Sequence, residues 1–143
     1  MLQKHQALPL NFGEMPIVTN NNQKLQMENI IVLFEVSLKA GRMGNYMKAA
    51  ATLKEELSKT EGFICAERFS SLAVENKILS KSEWKDEESV TKWRNLLAHR
   101  IAQNQGRMDD FTNYKITVVT PVRCYTMNSR DEAPKDSNLY FNV

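Results

Sequence analysis

The chain lacks most of the sequence signals that assign a protein to a familiar chemical class. Its two cysteines are not at the spacing of a zinc site, and of its two histidines His5 lies near the N-terminus, so a two-His iron site inside one domain is not expected either. It contains no glycine-rich dinucleotide loop, no phosphate-binding loop and no nucleophile elbow. Nineteen basic and 17 acidic residues leave a net charge of only +2, so a nucleic-acid partner is not expected.

Long apolar runs are also absent. The first residues hold no stretch long enough for a secretory signal, and no segment is long enough to cross a bilayer. We therefore expect a cytoplasmic protein with no membrane partner. Cys65 and Cys124 both lie in strand-like runs, and we expect them to be reduced and buried, since free cysteines usually behave as small hydrophobes.

What is present is the composition of one globular domain, with 42% hydrophobic and 25% charged residues. Residues 1–27 show neither a helical nor a strand period and are expected to form a partly disordered extension. Residues 28–127 carry the periodic segments and are the predicted domain. Residues 128–143 form a mostly polar tail.

Hydrophobic periodicity predicts six elements in the domain. Alternating apolar residues predict a first strand in NIIVLFEVSL, and a helical stripe follows in RMGNYMKAAATLKEELSKT. The runs FICAERFSS and KILSKSEW predict a hairpin. Asp86 is a suitable N-cap for the helix EESVTKWRNLLAHRIAQNQ. The last strand is expected in YKITVVTPVRCYTM, where Pro121 indicates an edge or a bulge.

The order strand, helix, strand, strand, helix, strand predicts an α+β, ferredoxin-like βαββαβ fold. Its antiparallel four-stranded sheet would carry both helices on one face and expose apolar residues on the other. We therefore predict a homodimer, a dimeric α+β barrel in which a second sheet covers that face. The second and fourth strands would be opposite edges, roughly 14 Å apart at about 4.8 Å per strand, too far for a disulfide between Cys65 and Cys124.

Three segments, GFICAERFSS, ILSKSEWKDEESVTKWRNLLAHR and AQNQGR, resemble the antibiotic biosynthesis monooxygenase superfamily. The resemblance spans about residues 29–126 and is greatest to small stand-alone bacterial proteins of unassigned substrate. It implies a dimeric ferredoxin-like fold. It also implies oxygen chemistry, which in some members needs no cofactor and in others degrades haem.

The haem-degrading members resemble this chain at Trp93 but differ at two other functional positions. They place a haem-ligating histidine ten residues after that tryptophan, where this sequence has Gln103, and an asparagine in the first strand, where it has Phe34. Cofactor-free chemistry is therefore the main expectation, and haem binding or degradation is the alternative.

Cofactor-free oxygenation requires a small aromatic or quinol-type substrate whose deprotonated form reduces O₂. His99 is the expected base, Arg100 the residue that stabilises the anion, and Glu67 a second acid or base. The expected substrate-binding residues are aromatic or can form hydrogen bonds, and they are Trp84, Trp93, Arg94, Gln103, Phe34 and Tyr114.

Structural roles compete with these assignments. Trp93 lies on an apolar helix stripe and fits a core position, His99 and Glu67 fit solvent-facing positions, and Tyr114 fits strand packing. The second hypothesis is accordingly a non-enzymatic ligand-binding or stress-associated dimer. An open pocket lined by Trp84, Trp93 and His99 would favour the enzyme, whereas a cleft filled by Phe34 and Phe69 would favour the second hypothesis.

Overall fold

The computed structural model describes residues 29–103 and 110–140, without the side chains of residues 99–103. Four strands and three helices follow one another along the chain. In order they are β1 (Ile30–Leu38), α1 (Met43–Ser58), β2 (Phe63–Ser70), β3 (Lys77–Trp84), α2 (Glu87–Gln103), β4 (Phe111–Val119) and α3 (Lys135–Tyr140).

The four strands form one antiparallel sheet in the order β2-β3-β1-β4. Helices α1 and α2 pack on one face of it, so the predicted α+β, ferredoxin-like arrangement is confirmed. Strands β2 and β4 are the opposite edges, as the βαββαβ order requires. The face that α1 and α2 do not contact is called the open face below.

The core lies between the helices and the sheet. Every second residue of β1, from Ile30 to Leu38, is buried, because alternate side chains of a strand point to the same face. The predicted helix stripes meet these residues, with Tyr46, Ala50 and Leu57 buried on α1 and Val90 and Trp93 buried on α2.

Local turn chemistry fixes where the elements begin and end. Gly41 adopts φ +79° after β1, and Gly62 adopts φ +88° before β2, a backbone region that glycine enters at little cost. Asp86 caps α2 as predicted, because its Oδ1 accepts the Ser89 backbone N–H at 2.8 Å and the Ser89 hydroxyl at 2.6 Å. These two bonds hold the pKa of Asp86 below its usual range.

Two predictions are wrong, one about the extent of the last strand and one about the burial of the cysteines. Strand β4 ends at Val119, which pairs with Ile31 near the start of β1, so no partner strand remains for the residues around Pro121. Cys65 and Cys124 are both exposed. Cys65 lies on the open face, where its thiol donates to Glu83 Oε2 at 2.9 Å, and this bond raises the pKa of Cys65.

The C-terminal tail contains a helix, α3, which the polar composition did not predict. Arg130 ties this segment together by donating to Asn138 Oδ1 at 2.8 Å and to Ser137 Oγ at 2.9 Å. The predicted extension at residues 1–27 lies outside the described residues. Among the helices that are described, none is both long and apolar enough to cross a membrane.

Candidate functional site

A cavity of about 350 Å³ lies between α1, α2 and the helix-facing side of the sheet. Strands β1, β2 and β3 form its floor, and the start of β4 closes one side. Its volume falls within the range of small-molecule sites, which are concave and mostly apolar with a few placed polar groups. It is therefore the candidate functional site.

One end of the cavity is aromatic. Phe34 of β1 and Trp93 of α2 meet edge to face, with ring centroids 6.2 Å apart and ring planes at 75°. Phe111 at the start of β4 also lines this end. We call Phe34, Trp93 and Phe111 the aromatic end; rings at such an angle offer both faces and edges to a bound apolar molecule.

The other end carries hydrogen-bond donors from the sheet. Arg68 of β2 lies opposite Ser80 of β3, and Ser82 is two residues further along β3 on the same face. The Arg68 guanidinium donates from Nη2 to the backbone carbonyl of Ala50, which joins the edge strand to α1. We call Arg68, Ser80 and Ser82 the polar end.

Positive charge predominates around this cavity. Lys48 and Lys54 are exposed residues of α1 that line it together with Arg68. Its buried carboxylate, Asp110, already forms an ion pair with Arg42 at 3.4 Å. Glu67 is the second acidic residue of the lining, so a small positive surplus remains, which favours an anionic ligand or an anionic reaction intermediate.

Tyr46 lines the cavity between the two ends. Burial raises the pKa of its phenol, and the positive charge of Arg68 partly counteracts that rise. Its hydroxyl has no hydrogen-bond partner among the described residues, yet the oxygen is not sealed from solvent. Tyr46 therefore presents a neutral hydroxyl that a ligand in the cavity can use.

The structure brings two of the predicted site residues together, since Phe34 and Trp93 both line the cavity. The Tyr114 ring packs against Phe34, with ring centroids 6.1 Å apart, but half of its surface is exposed on the edge strand. Tyr114 does not line the cavity and contacts the aromatic end only through Phe34.

Three other predicted residues lie elsewhere. Trp84 is completely buried, with its indole N–H donating to Ser82 Oγ at 2.9 Å and its ring packed against Phe63. Arg94 is exposed on α2 and does not line the cavity. Glu67 belongs to the rim, but its register opposite Lys81 turns its side chain to the open face.

The side chains of His99, Arg100 and Gln103 lie outside the described part of the structure, although α2 includes their backbone. Phe69 pairs with Leu79 on the open face and is 43% exposed, so it does not fill the cleft beside Phe34. The cleft is open in this structure.

Sequence reasoning missed Tyr46 as a cavity residue and all three residues of the polar end. A signal for the polar end was present in β3. In KILSKSEW the positions that share a face with Ile78 and Trp84 are Ser80 and Ser82, where a core strand would ordinarily place apolar residues. Polar residues at inward positions indicate a lined cavity rather than a filled core.

Residues 29–105, more than half of the chain, match the family described as antibiotic biosynthesis monooxygenase. The chain belongs to this family. Among curated proteins it is similar to the jasmonate monooxygenase ABM of Pyricularia oryzae, with 36% identity over 87 residues. That match covers 61% of this chain but only 40% of the relative.

Solved structures show the same family fold. A conserved protein from Methanosarcina mazei Go1 has a TM-score of 0.60 and 20% identity, over 68% of this chain and 97% of that one. SnoaB, a cofactor-independent oxygenase from Streptomyces nogalater, has a TM-score of 0.57 and 10% identity, over 71% and 98% of the two chains. At these identities the likeness concerns the fold alone.

Phe34 of the first strand packs its ring against both Trp93 and Tyr114. An apolar ring donates no hydrogen bond to a bound ligand, so this part of the cavity wall suits an apolar group.

Proposed function

We propose that this chain is a cofactor-independent monooxygenase that oxidises a small, largely apolar, aromatic or quinol-type substrate with O₂ inside the cavity. The observation that carries the proposal is the open cavity between helices and sheet, with Phe34 and Trp93 forming its wall, in a chain of the antibiotic biosynthesis monooxygenase family. A collapsed core at this place would have supported a purely structural role.

The reaction requires the substrate to supply its own electrons. Loss of a proton gives an electron-rich anion, which transfers an electron to O₂. The organic product then gains one oxygen atom and loses two hydrogens, and the second oxygen atom leaves as water. The protein must hold the ring, stabilise the anion and exclude water, and the apolar walls of the cavity suit the first and third tasks.

We assign proton removal to His99 and stabilisation of the anion to Arg100. Arg100 follows Trp93 by seven residues, a spacing that puts two positions on one face of a continuous helix, and α2 is continuous to Gln103. Gln103 follows His99 by four residues, so those two positions share a face, which lies roughly 100° around the helix from that of Trp93 and Arg100. Arg94 and Glu67 are given no part in the reaction, since Arg94 does not line the cavity and the Glu67 side chain lies on the open face.

We further propose that the protein acts as a cytoplasmic homodimer in which two open faces pack together. The open face of the isolated subunit carries Leu33, Leu79 and Phe69, with Phe69 43% exposed. Phe69 and Leu79 are cross-strand partners there, and exposed apolar side chains on a sheet face favour coverage by a second sheet. The packed faces would stiffen the floor of the cavity on the far side of the same strands.

Activity is tested with the full chain and two substrate classes, an anthrone and jasmonate, the compound for which the curated relative is named. Oxygen uptake is followed with an electrode, and isotopically labelled O₂ reports the source of the inserted atom. We expect one labelled atom in the product of at least one class, above the rate of heat-denatured protein. Binding of both compounds without label incorporation would instead establish the non-enzymatic ligand-binding protein.

A further inference from the structure

The polar end of the cavity has a charge that the described side chains do not neutralise. Arg68 is partly buried and makes one recorded hydrogen bond, from Nη2 to the carbonyl of Ala50. Among the described side chains no carboxylate forms an ion pair with it. A guanidinium has five N–H donors, so most of its donors are available to a ligand.

The serine hydroxyls beside Arg68 are also available. Ser82 Oγ accepts the indole N–H of Trp84, and its own proton has no recorded acceptor. Ser80 makes no recorded side-chain hydrogen bond in the described part of the chain. A fork of guanidinium donors with two neighbouring hydroxyls is complementary to the two oxygens of a carboxylate.

The sheet sets the distance between this end and the aromatic end. Arg68, Ser80 and Phe34 are successive cross-strand partners on β2, β3 and β1. Two strand steps of about 4.8 Å separate the backbone positions of Arg68 and Phe34, which therefore lie roughly 10 Å apart across the sheet. A molecule that spans this row needs an acidic group at one end and an apolar body at the other.

We infer that the cavity selects small amphipathic organic acids. The carboxylate binds at the polar end and the apolar body lies against Phe34 and Trp93. The inference rests on the proposed function only in taking this cavity as the substrate site. Lys48 and Lys54 at its entrance add attraction for the same charge, while the ion pair of Asp110 with Arg42 limits repulsion.

The test is equilibrium binding of 2-naphthoate and its uncharged methyl ester to the full chain, measured by calorimetry under nitrogen. The two probes share the aromatic body and differ in the charge that Arg68 would recognise. We expect the acid to bind at least about tenfold more tightly than the ester, a difference of about 1.4 kcal/mol. Equal affinity for the two probes, or no binding of naphthoate at millimolar concentration, would overturn the inference.

Three variants test whether the polar end causes the preference for the acid over the ester. Arg68→Gln should reduce the affinity for naphthoate about tenfold or more and leave the affinity for the ester unchanged. Lys81→Gln removes a neighbouring charge from the open face and should keep the preference for the acid. Ser80→Ala, which leaves the contact between Arg68 and Ala50 intact, should lower the affinity for the acid even if Arg68→Gln fails to fold.

The outcome is separable from that of the monooxygenase proposal, because binding under nitrogen requires no turnover. A preference for the acid without label incorporation from O₂ would retain the acid site and remove the oxygenase. Oxidation of neutral substrates with no preference for acids would retain the oxygenase and overturn the acid site. Loss of both affinities in folded Arg68→Gln would show a structural role for Arg68 and count against the inference.

Discussion

Phe34 and Trp93 meet edge to face, 6.2 Å apart, where the central strand faces the second helix. Phe34 is 8% and Trp93 5% exposed, so both belong to the hydrophobic core. Both also line the cavity. The core and binding roles considered for Trp93 are thus not exclusive, because one side of the ring packs and the remaining surface is available to a ligand.

The double role of Trp93 predicts that Trp93→Phe lowers both stability and affinity. Val90→Ala is the matched control, because Val90 is buried on the same helix but does not line the cavity. Urea denaturation should show a loss of about 0.5–3 kcal/mol for each variant, the usual range for core substitutions. Calorimetry with 2-naphthoate should show weaker binding for Trp93→Phe alone, and equal weakening in both variants would contradict the assignment.

The proposed dimer predicts that a charge on the open face separates the subunits. Leu33 lies there opposite Lys81, so Leu33→Glu places a carboxylate beside an existing cation and should be tolerated within one subunit. Light scattering at micromolar concentration should give the mass of two chains for the native protein and of one chain for Leu33→Glu. Glu55→Lys, on the exposed side of α1, should remain dimeric, and a native mass of one chain would contradict the dimer.

The order and location of the main elements could be predicted from periodicity, since each element carries its pattern locally. The alternation in β1 and the stripes of α1 and α2 all match the observed burial. The end of β4 could not be predicted in this way, because it depends on where its partner β1 begins. The exposure of Cys65 likewise depends on which face of the sheet the helices cover.

Only part of the candidate site could be predicted from the sequence. Phe34 and Trp93 are recognisable as aromatic residues on inward stripes. Arg68 and Ser80 come from different strands and form a pair only through the hairpin register. That register also turns Glu67, the neighbour of Arg68, to the opposite face. A shift of the strand register by one residue would therefore exchange the faces of Arg68 and Glu67 and change which charge lines the cavity.

Alanine substitutions at Gly41 and Gly62 distinguish the cost of backbone strain from the cost of steric overlap. Both have positive φ, so alanine at either position should cost about 1–2 kcal/mol. A Cβ at Gly41 meets no atom within 4 Å, whereas at Gly62 it would lie 1.8 Å from Ser89 Oγ. Gly62→Ala should therefore show the larger loss of stability in urea denaturation. Equal losses would mean that Ser89 moves aside without affecting the cap of α2.

The cap of α2 predicts a pH dependence of stability. Hydrogen bonds from Ser89 lower the pKa of Asp86 in the folded protein, so the ionised form is stabilised by folding. The contribution is present above the unfolded pKa and is lost as the pH falls through the lowered folded pKa. Denaturation of native protein and Asp86→Asn across acidic pH should show a stability difference that shrinks on acidification. Ser89→Ala should reduce that difference, and a pH-independent difference would contradict the account.

The roles proposed for His99 and Arg100 predict a loss of turnover without a loss of stability. His99→Ala removes the base that generates the substrate anion, and Arg100→Ala removes the charge that stabilises it. Each should lower oxidation of an anthrone by about tenfold or more, equivalent to about 1.4 kcal/mol, with an unchanged melting temperature. Lys92→Ala, an exposed change on the same helix, is the control and should retain full activity. Unchanged turnover in both variants would remove His99 and Arg100 from the site and would show that the base is not on this part of α2.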